Sequence, residues 1–171
     1  MTAYNFDRIL RWILDSEGGN DDDKLDHGGR TSRGITQREY NAYRERENLP
    51  HGDVWKATDS EVKQIYHDSY WNPYCDDLPT GVDYLFFDMS VNAGPYRAAV
   101  MLQRAVGVRD DGSIGPLTMA AVAKLKPWKA VALFLAERLE FWTNCENWDT
   151  QGKGWTRRGA KNIRYLTQDA E

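Results

Sequence analysis

Cysteine and histidine are scarce in this sequence. The two cysteines, Cys75 and Cys145, and the three histidines, His27, His51 and His67, are scattered over 171 residues without close spacing. Metal sites and disulfide frameworks need such residues in clusters, so we expect no metal site and no cofactor. The first residues also lack the basic start and apolar run of a signal peptide, and we therefore expect both cysteines to be free, with pairing of Cys75 and Cys145 after export as the alternative.

The sequence also lacks an excess of positive charge and any long apolar run. Its formal net charge is −4 and its pI is about 5.4. This balance argues against a nucleic-acid partner, because proteins that bind nucleic acids carry a basic face. No stretch approaches the roughly 18 consecutive apolar residues of a membrane span, so we expect no stable membrane insertion.

Apolar and aromatic residues are present in sufficient number for a real core. Hydrophobic residues make up 41% of the chain, which argues against wholesale disorder. Seven Trp and nine Tyr are many for a chain of this length. We expect most of them to pack in the interior and some exposed ones to line a sugar groove, since aromatic faces suit pyranose rings.

Apolar residues recur at three- and four-residue spacing along most of the chain, which predicts an all-α or mainly α fold. The first predicted helix ends at Gly18-Gly19, since glycines commonly follow a helix end. Thr36-x-x-Glu39 and Thr58-x-x-Glu61 have the pattern of capping boxes and predict two further helix starts. The apolar face of the first helix is formed by Phe6, Ile9, Leu10, Ile13 and Leu14.

Two segments interrupt the helical pattern. Residues 20–36 are polar and rich in Gly and Asp, and we expect a structured loop with a small β-hairpin there. Residues 147–154 are rich in Trp and Gly, and we expect a connector that leads to a final helix with Ile163 and Leu166.

Glu17 is the candidate general acid. It follows Ile13 by four residues and Leu10 by seven, so it continues the apolar face at the C-terminal end of the first helix. Burial and the negative end of the helix dipole both raise the pKa of a carboxyl group, and burial has the larger effect. A glutamic acid that stays protonated near neutral pH is suited to protonate a glycosidic oxygen. The alternative is an ordinary glutamate paired with a nearby arginine.

Asp26 and the hydroxyl groups of Thr31 and Ser32 follow within the polar segment. An ionised loop aspartate can orient a water molecule or stabilise positive charge that develops on a sugar. A hydroxyl group close to Gly34 can hold the attacking water. The alternative for all three residues is hydrogen bonding within turns.

Residues 13–19 and 26–36 resemble glycoside hydrolase family 108, whose signature is Glu-Gly-Gly-aromatic followed by Gly-Gly-x-Thr-x-x-Gly-Ile-Thr. The sequence departs from this pattern at two positions. Asn20 stands where the family usually has Tyr or Phe, and His27 stands where Pro is common. The resemblance implies a lysozyme-like helical fold and N-acetylmuramidase activity, with Glu17 as the acid. We predict Asp26 and Thr31 as the other catalytic residues.

The second half carries further matching motifs. Residues 87–95, 102–105, 111–118 and 155–158 resemble the peptidoglycan-binding segment that accompanies this hydrolase. We therefore divide the chain into a muramidase segment, residues 1–95, and a peptidoglycan-binding segment, residues 96–171. No linker separates them and each is small, so we expect one integrated domain. We also predict that Tyr40 and Asn92 contact the substrate.

The predicted function is that of an endolysin-type muramidase, which hydrolyses the β-1,4 bond between N-acetylmuramic acid and N-acetylglucosamine in bacterial peptidoglycan. A lytic transglycosylase, a non-catalytic peptidoglycan-binding phage protein and a chitinase-like hydrolase are the alternatives. We expect a monomer that is made in the host bacterial cytoplasm. Release through a holin, as in phage lysis, or export by a secretion system would then bring it to the periplasm or cell wall.

Overall fold

The computed structural model describes residues 3–17, 20–21, 30–71 and 74–168, and the side chains of residues 5–16, 30–71 and 74–168. In these ranges the chain forms eight α-helices and three two-residue strands. The predicted mainly α fold with a small β structure near residues 20–36 is therefore confirmed. The chain divides into two compact units, Met1–Ser69 and Tyr70–Glu171. The functional division at residue 95 stays a prediction.

The first unit contains three helices and the sheet. Its elements are α1 (Ala3–Glu17), β1 (Asn20–Asp21), β2 (Thr31–Ser32), β3 (Ile35–Thr36), α2 (Gln37–Arg46) and α3 (Asp59–Tyr66). A 3₁₀ turn, Val54–Lys56, lies between α2 and α3, and a π-helical turn, His67–Trp71, follows α3. On α1, the predicted apolar face is buried at Phe6, Ile9, Leu10 and Ile13.

Both predicted capping boxes are present. The Thr36 hydroxyl accepts a hydrogen bond from the Glu39 backbone N–H, and the Glu39 carboxylate accepts one from the Thr36 backbone N–H. Thr58 and Glu61 form the same reciprocal pair at the start of α3. Each box satisfies backbone donors that the first turn of a helix leaves without partners.

The sheet is antiparallel, with strand order β1-β2-β3. Only Arg33 and Gly34 separate β2 from β3, and their φ angles are 52° and 78°. Two successive positive φ angles are typical of the tight hairpin turns whose twist matches that of the strands. Glycine adopts such an angle without strain, whereas Arg33 does so at a cost of about 1–3 kcal/mol.

The second unit is a bundle of five helices. They are α4 (Val82–Ala93), α5 (Pro95–Ala105), α6 (Pro116–Ala123), α7 (Pro127–Thr143) and α8 (Trp148–Gln168). Helix α4 packs against α5 and α7, and it is buried from Val82 to Ser90. Pro116 and Pro127 occupy first helical positions, where the missing proline N–H costs nothing.

The predicted connector at residues 147–154 is wrong, because α8 begins at Trp148 and continues through this segment. Glycines normally weaken a helix, but here they make room for indole rings. A Cβ atom at Gly152 would lie 2.8 Å from Cδ2 of Trp148, and one at Gly159 would lie 3.2 Å from Cζ3 of Trp142. Packing of tryptophan against these glycines therefore offsets their poor helix propensity.

Cys75 and Cys145 are free in this structure. Cys75 is buried, and this burial raises the pKa of its thiol well above the ordinary value. Within the described ranges, no helix combines the length and apolar character needed to cross a membrane. Nor do the described side chains include a group of three or more His, Cys, Asp or Glu that could hold a metal ion.

Candidate active site

Glu17 is the last residue of α1. The chain enters β1 at Asn20, three residues later, and three residues span at most about 11 Å. Strand β1 pairs with β2, so that Asn20 lies opposite Ser32 and Asp21 lies opposite Thr31. The C-terminal end of α1 and the strand that carries Thr31 are thus held close together by one short connection and one strand pair.

The three predicted catalytic positions differ in how far the structure describes them. Asp26 lies outside the described residues, between β1 and β2 in the chain. Thr31 is half-buried and Ser32 is buried, with 2% of its surface exposed. Of the two hydroxyl-bearing residues, Thr31 is therefore the more accessible, and its catalytic role stays a prediction.

The β2–β3 hairpin is fixed to the start of α3 by Arg33. Its Nη1 lies 2.6 Å from Asp59 Oδ1, and its Nη2 donates to the Ala57 carbonyl at 2.5 Å. Tyr66 adds a third link, because its hydroxyl donates to the Arg33 carbonyl at 2.7 Å. These contacts explain why arginine occupies a turn position that glycine or asparagine would fill with less strain. They also fix the hairpin of which the Thr31 strand is a part.

Trp55 is a residue beside Thr31 that the sequence did not single out. It belongs to the 3₁₀ turn Val54–Lys56, and 38% of its surface is exposed. Its indole Nε1 donates to the Thr31 carbonyl at 3.0 Å. The guanidinium carbon of Arg30 lies 4.5 Å from the centroid of the indole ring, which is cation–π geometry. The only sequence signal was the general expectation of exposed aromatic residues.

Tyr40, predicted as a substrate contact, is 2% exposed and lies on the buried face of α2. Its hydroxyl donates to Glu61 at 3.1 Å and accepts from Arg44 at 2.9 Å. Burial raises the pKa of Tyr40. For Glu61, burial acts to raise the pKa, but hydrogen bonds from Thr58 and Tyr40 and the charge of Arg44 lower it overall. This network joins α2 to α3, and the substrate role of Tyr40 stays a prediction.

Asn92, the other predicted substrate contact, lies near the C-terminal end of α4 in the second unit. The residue is half-buried, and its side-chain Oδ1 accepts a hydrogen bond from Trp142 Nε1 at 3.1 Å. This bond fixes the orientation of the Asn92 amide. The NH₂ group, which has two donor hydrogens, lies on the side of the amide opposite to the bonded oxygen. Trp142 in turn stacks on Trp155, with ring centroids 6.3 Å apart.

A buried charge network explains two motifs of the second half. Asp88, on α4, accepts hydrogen bonds from Arg158 Nε and Nη2, and its Oδ2 lies 2.6 Å from Arg138 Nη2. Arg138 Nη1 also donates to Asn162, whose amide donates to the Tyr84 hydroxyl. Burial acts to raise the pKa of Asp88, but the two guanidinium groups outweigh it and hold that pKa below its ordinary value.

The residues at positions 88 and 158 therefore serve the fold. Asp88 belongs to the motif at residues 87–95 and Arg158 to the motif at residues 155–158, and the two are 70 residues apart in the chain. Their ion pair links α4 to α8, and the ion pair of Asp88 with Arg138 links α4 to α7. The motifs that resemble a peptidoglycan-binding segment thus include the internal electrostatic link of the second unit.

Comparisons with known proteins agree with this architecture. The family described as Glycosyl hydrolase 108 matches residues 10–94. Among solved structures, the chain is similar to the one titled "Structure of Brucella abortus SagA". The two share 34% sequence identity with a TM-score of 0.86, and the match covers 98% of this chain and 97% of that one. No curated protein matches the chain.

The family match begins within α1 and includes Glu17, the three strands and Asn92. The structural match extends over both compact units. With this coverage and identity, the chain belongs to glycosyl hydrolase family 108, a family of glycoside hydrolases.

Proposed function

We propose that this glycoside hydrolase is an N-acetylmuramidase that cleaves the β-1,4 bond between N-acetylmuramic acid and N-acetylglucosamine in bacterial peptidoglycan. The observation that carries the proposal is the position of Glu17 in a chain of this family. Glu17 is the last residue of α1, and the strand that follows, β1, pairs with β2, which carries Thr31. The negative end of a helix disfavours an ionised carboxylate by about 0.3–1 kcal/mol, which favours the protonated form that a general acid needs.

In the proposed reaction, the Glu17 carboxyl group donates its proton to the glycosidic oxygen as the bond from that oxygen to C1 of the muramic acid breaks. Positive charge develops on the ring carbon and ring oxygen. Asp26, as a carboxylate, stabilises this charge or takes a proton from the water that attacks C1, and the Thr31 hydroxyl helps to position that water. The half-buried setting of Thr31 in β2 supports such a positioning role.

The test is digestion of purified peptidoglycan by the wild type and by Glu17→Gln, with the products identified by mass spectrometry. We expect reducing-end muropeptides from the wild type and a loss of about 10²- to 10⁴-fold for the variant, the usual contribution of a general acid. Glu45→Gln is the matched control, because Glu45 is an exposed glutamate on α2 that pairs with His51. It is expected to retain full activity. Equal activity of Glu17→Gln and the control would refute the assignment.

The same products separate the alternatives. Muropeptides with an anhydro end, which lack the added water, would indicate a lytic transglycosylase. Sedimentation with peptidoglycan without release of fragments would indicate a binding protein, and a preference for chitin would indicate a chitinase-like hydrolase. NMR of the first product shows whether the configuration at the anomeric carbon is inverted or retained. Inversion would assign Asp26 as a base that activates water, and retention would assign it as a nucleophile. Action as a monomer and holin-dependent release to the wall stay predictions.

A further inference from the structure

Trp55 lies at the edge of the proposed catalytic centre and is partly exposed. Its indole Nε1 is bonded to the backbone carbonyl of Thr31, and 38% of the residue's surface faces solvent. An indole with its N–H satisfied and part of its ring exposed offers an apolar surface with no polar group to desolvate. Such a surface suits the C–H face of a pyranose ring.

The turn that carries Trp55 is held in place by side chains on both sides. Asp53 accepts a hydrogen bond from the Trp55 backbone N–H at 3.0 Å. Gln37, at the start of α2, accepts one from the Val54 N–H at 3.0 Å and donates one to the Gly52 carbonyl at 2.7 Å. The position of the ring is therefore set before a ligand arrives, which reduces the entropy lost on binding.

A positive charge accompanies the ring. The Arg30 guanidinium group packs over the indole and lies 3.6 Å from Asp53 Oδ2. The Arg30 side chain is 47% exposed, so its charge is accessible to a ligand on the same surface. Arg30 directly precedes Thr31 in the chain, which places an apolar ring and a cation side by side next to the predicted catalytic strand.

We propose that Trp55 and Arg30 form a subsite that binds a carboxylate-bearing muramic acid unit of the glycan. The exposed part of the indole packs against the sugar ring, and Arg30 pairs with a carboxylate of the attached peptide. This inference rests on the proposed function, because it concerns recognition of the same substrate. It adds a source of selectivity, since a neutral chain of N-acetylglucosamine uses the indole but gains nothing from the cation.

The test compares two soluble ligands of equal length, peptide-bearing muropeptide oligomers and N-acetylglucosamine oligomers, by calorimetric titration at low salt. Binding is measured in the Glu17→Gln background, so that cleavage of the ligand is slow compared with the titration. Trp55→Ala is expected to weaken binding of both ligands about two- to tenfold, the range for an aromatic contact. Arg30→Gln is expected to weaken only the muropeptide, about two- to fivefold, as for an exposed ion pair. High salt should remove that difference.

The control is Trp128→Ala, at a tryptophan of the second unit that is 67% exposed, and it should change neither affinity. Trp55→Phe, which keeps an aromatic ring, should lose less than Trp55→Ala, and it replaces that variant if the alanine form does not fold. The subsite is refuted if the Trp55 variants bind like the control, or if Arg30→Gln weakens both ligands equally. Failure of the proposed function is read separately, as an absence of muropeptide release by wild-type enzyme.

Discussion

Asp88 offers the sharpest test of what stabilises the second unit. In Asp88→Asn, the carboxylate that faces Arg138 and Arg158 becomes neutral, while both arginines keep their charge. The side chains of Asp88 and Arg138 are each 1% exposed, and that of Arg158 is 14% exposed, so little water reaches the charges left behind. Removal of one partner of a buried ion pair typically costs about 3–5 kcal/mol.

Asp110→Asn is the matched control, because it makes the same chemical change in an exposed pair. Asp110 lies 2.7 Å from Arg104, and their side chains are 44% and 57% exposed. An exposed pair contributes only about 0–1 kcal/mol. At about 2–4 °C per kcal/mol, Asp88→Asn should lower the midpoint of thermal unfolding by about 6–20 °C, and Asp110→Asn by less than about 4 °C.

The assay is thermal unfolding followed by circular dichroism and by tryptophan fluorescence. Trp142 is a local reporter, because the guanidinium carbon of Arg138 lies 4.4 Å from the centroid of its ring. The fluorescence of Asp88→Asn should therefore change in the folded state, whereas that of the control should not. Equal shifts in the unfolding midpoint for the two variants would show that the buried network contributes no more than a surface pair, contrary to our reasoning.

Three further predictions concern helix packing, capping and pH. Gly152→Ala should destabilise the protein, because the new Cβ would lie 2.8 Å from Trp148. In Gly154→Ala the new Cβ meets nothing within 4 Å, so this variant should be more stable by about 0.5–1 kcal/mol, as measured by urea unfolding. Thr36→Ala removes the N-cap of α2 and should lower the free energy of unfolding by about 0.5–2 kcal/mol. Thr150→Ala, within α8, should lower it by less, and equal losses for the two variants would contradict the capping role. Because the pKa of Asp88 is lowered in the folded state, its contribution to stability is fully present above the ordinary carboxylate pKa of about 3.9 and is lost as the pH falls through the folded value. Acid titration of unfolding should show this loss in the wild type and a smaller one in Asp88→Asn.

Local signals in the sequence predicted most elements correctly. The two capping boxes, the prolines that open α6 and α7, and the apolar spacing of α1 act over three to seven residues, so the chain itself displays them. The connector at residues 147–154 was predicted wrongly because the helix propensity of glycine does not include the indole rings that occupy the space beside Gly152 and Gly159. The indole of Trp142, which fills the space at Gly159, belongs to another helix.

Long-range contacts limited what the sequence could say about the site. Trp55 bonds to Thr31 across 24 positions, and no spacing rule links such residues. Tyr40 has the spacing of an amphipathic helix face, yet its hydroxyl is used by Glu61 and Arg44 inside the first unit. The position of Glu17 at the end of α1 was predictable because that helix end is marked by glycines in the sequence, while its role as the acid stays a prediction.

The glycines of α8 have a consequence for the order in which the protein folds. Gly152, Gly154 and Gly159 each cost about 0.8–1 kcal/mol of intrinsic helix stability relative to alanine, so this segment is a weak helix in isolation. Gly159 packs against Trp142 of α7, and this contact supplies stability that the segment lacks on its own. We therefore infer that α8 becomes stably helical only after α7 has formed, when Trp142 provides a surface for Gly159 to dock against.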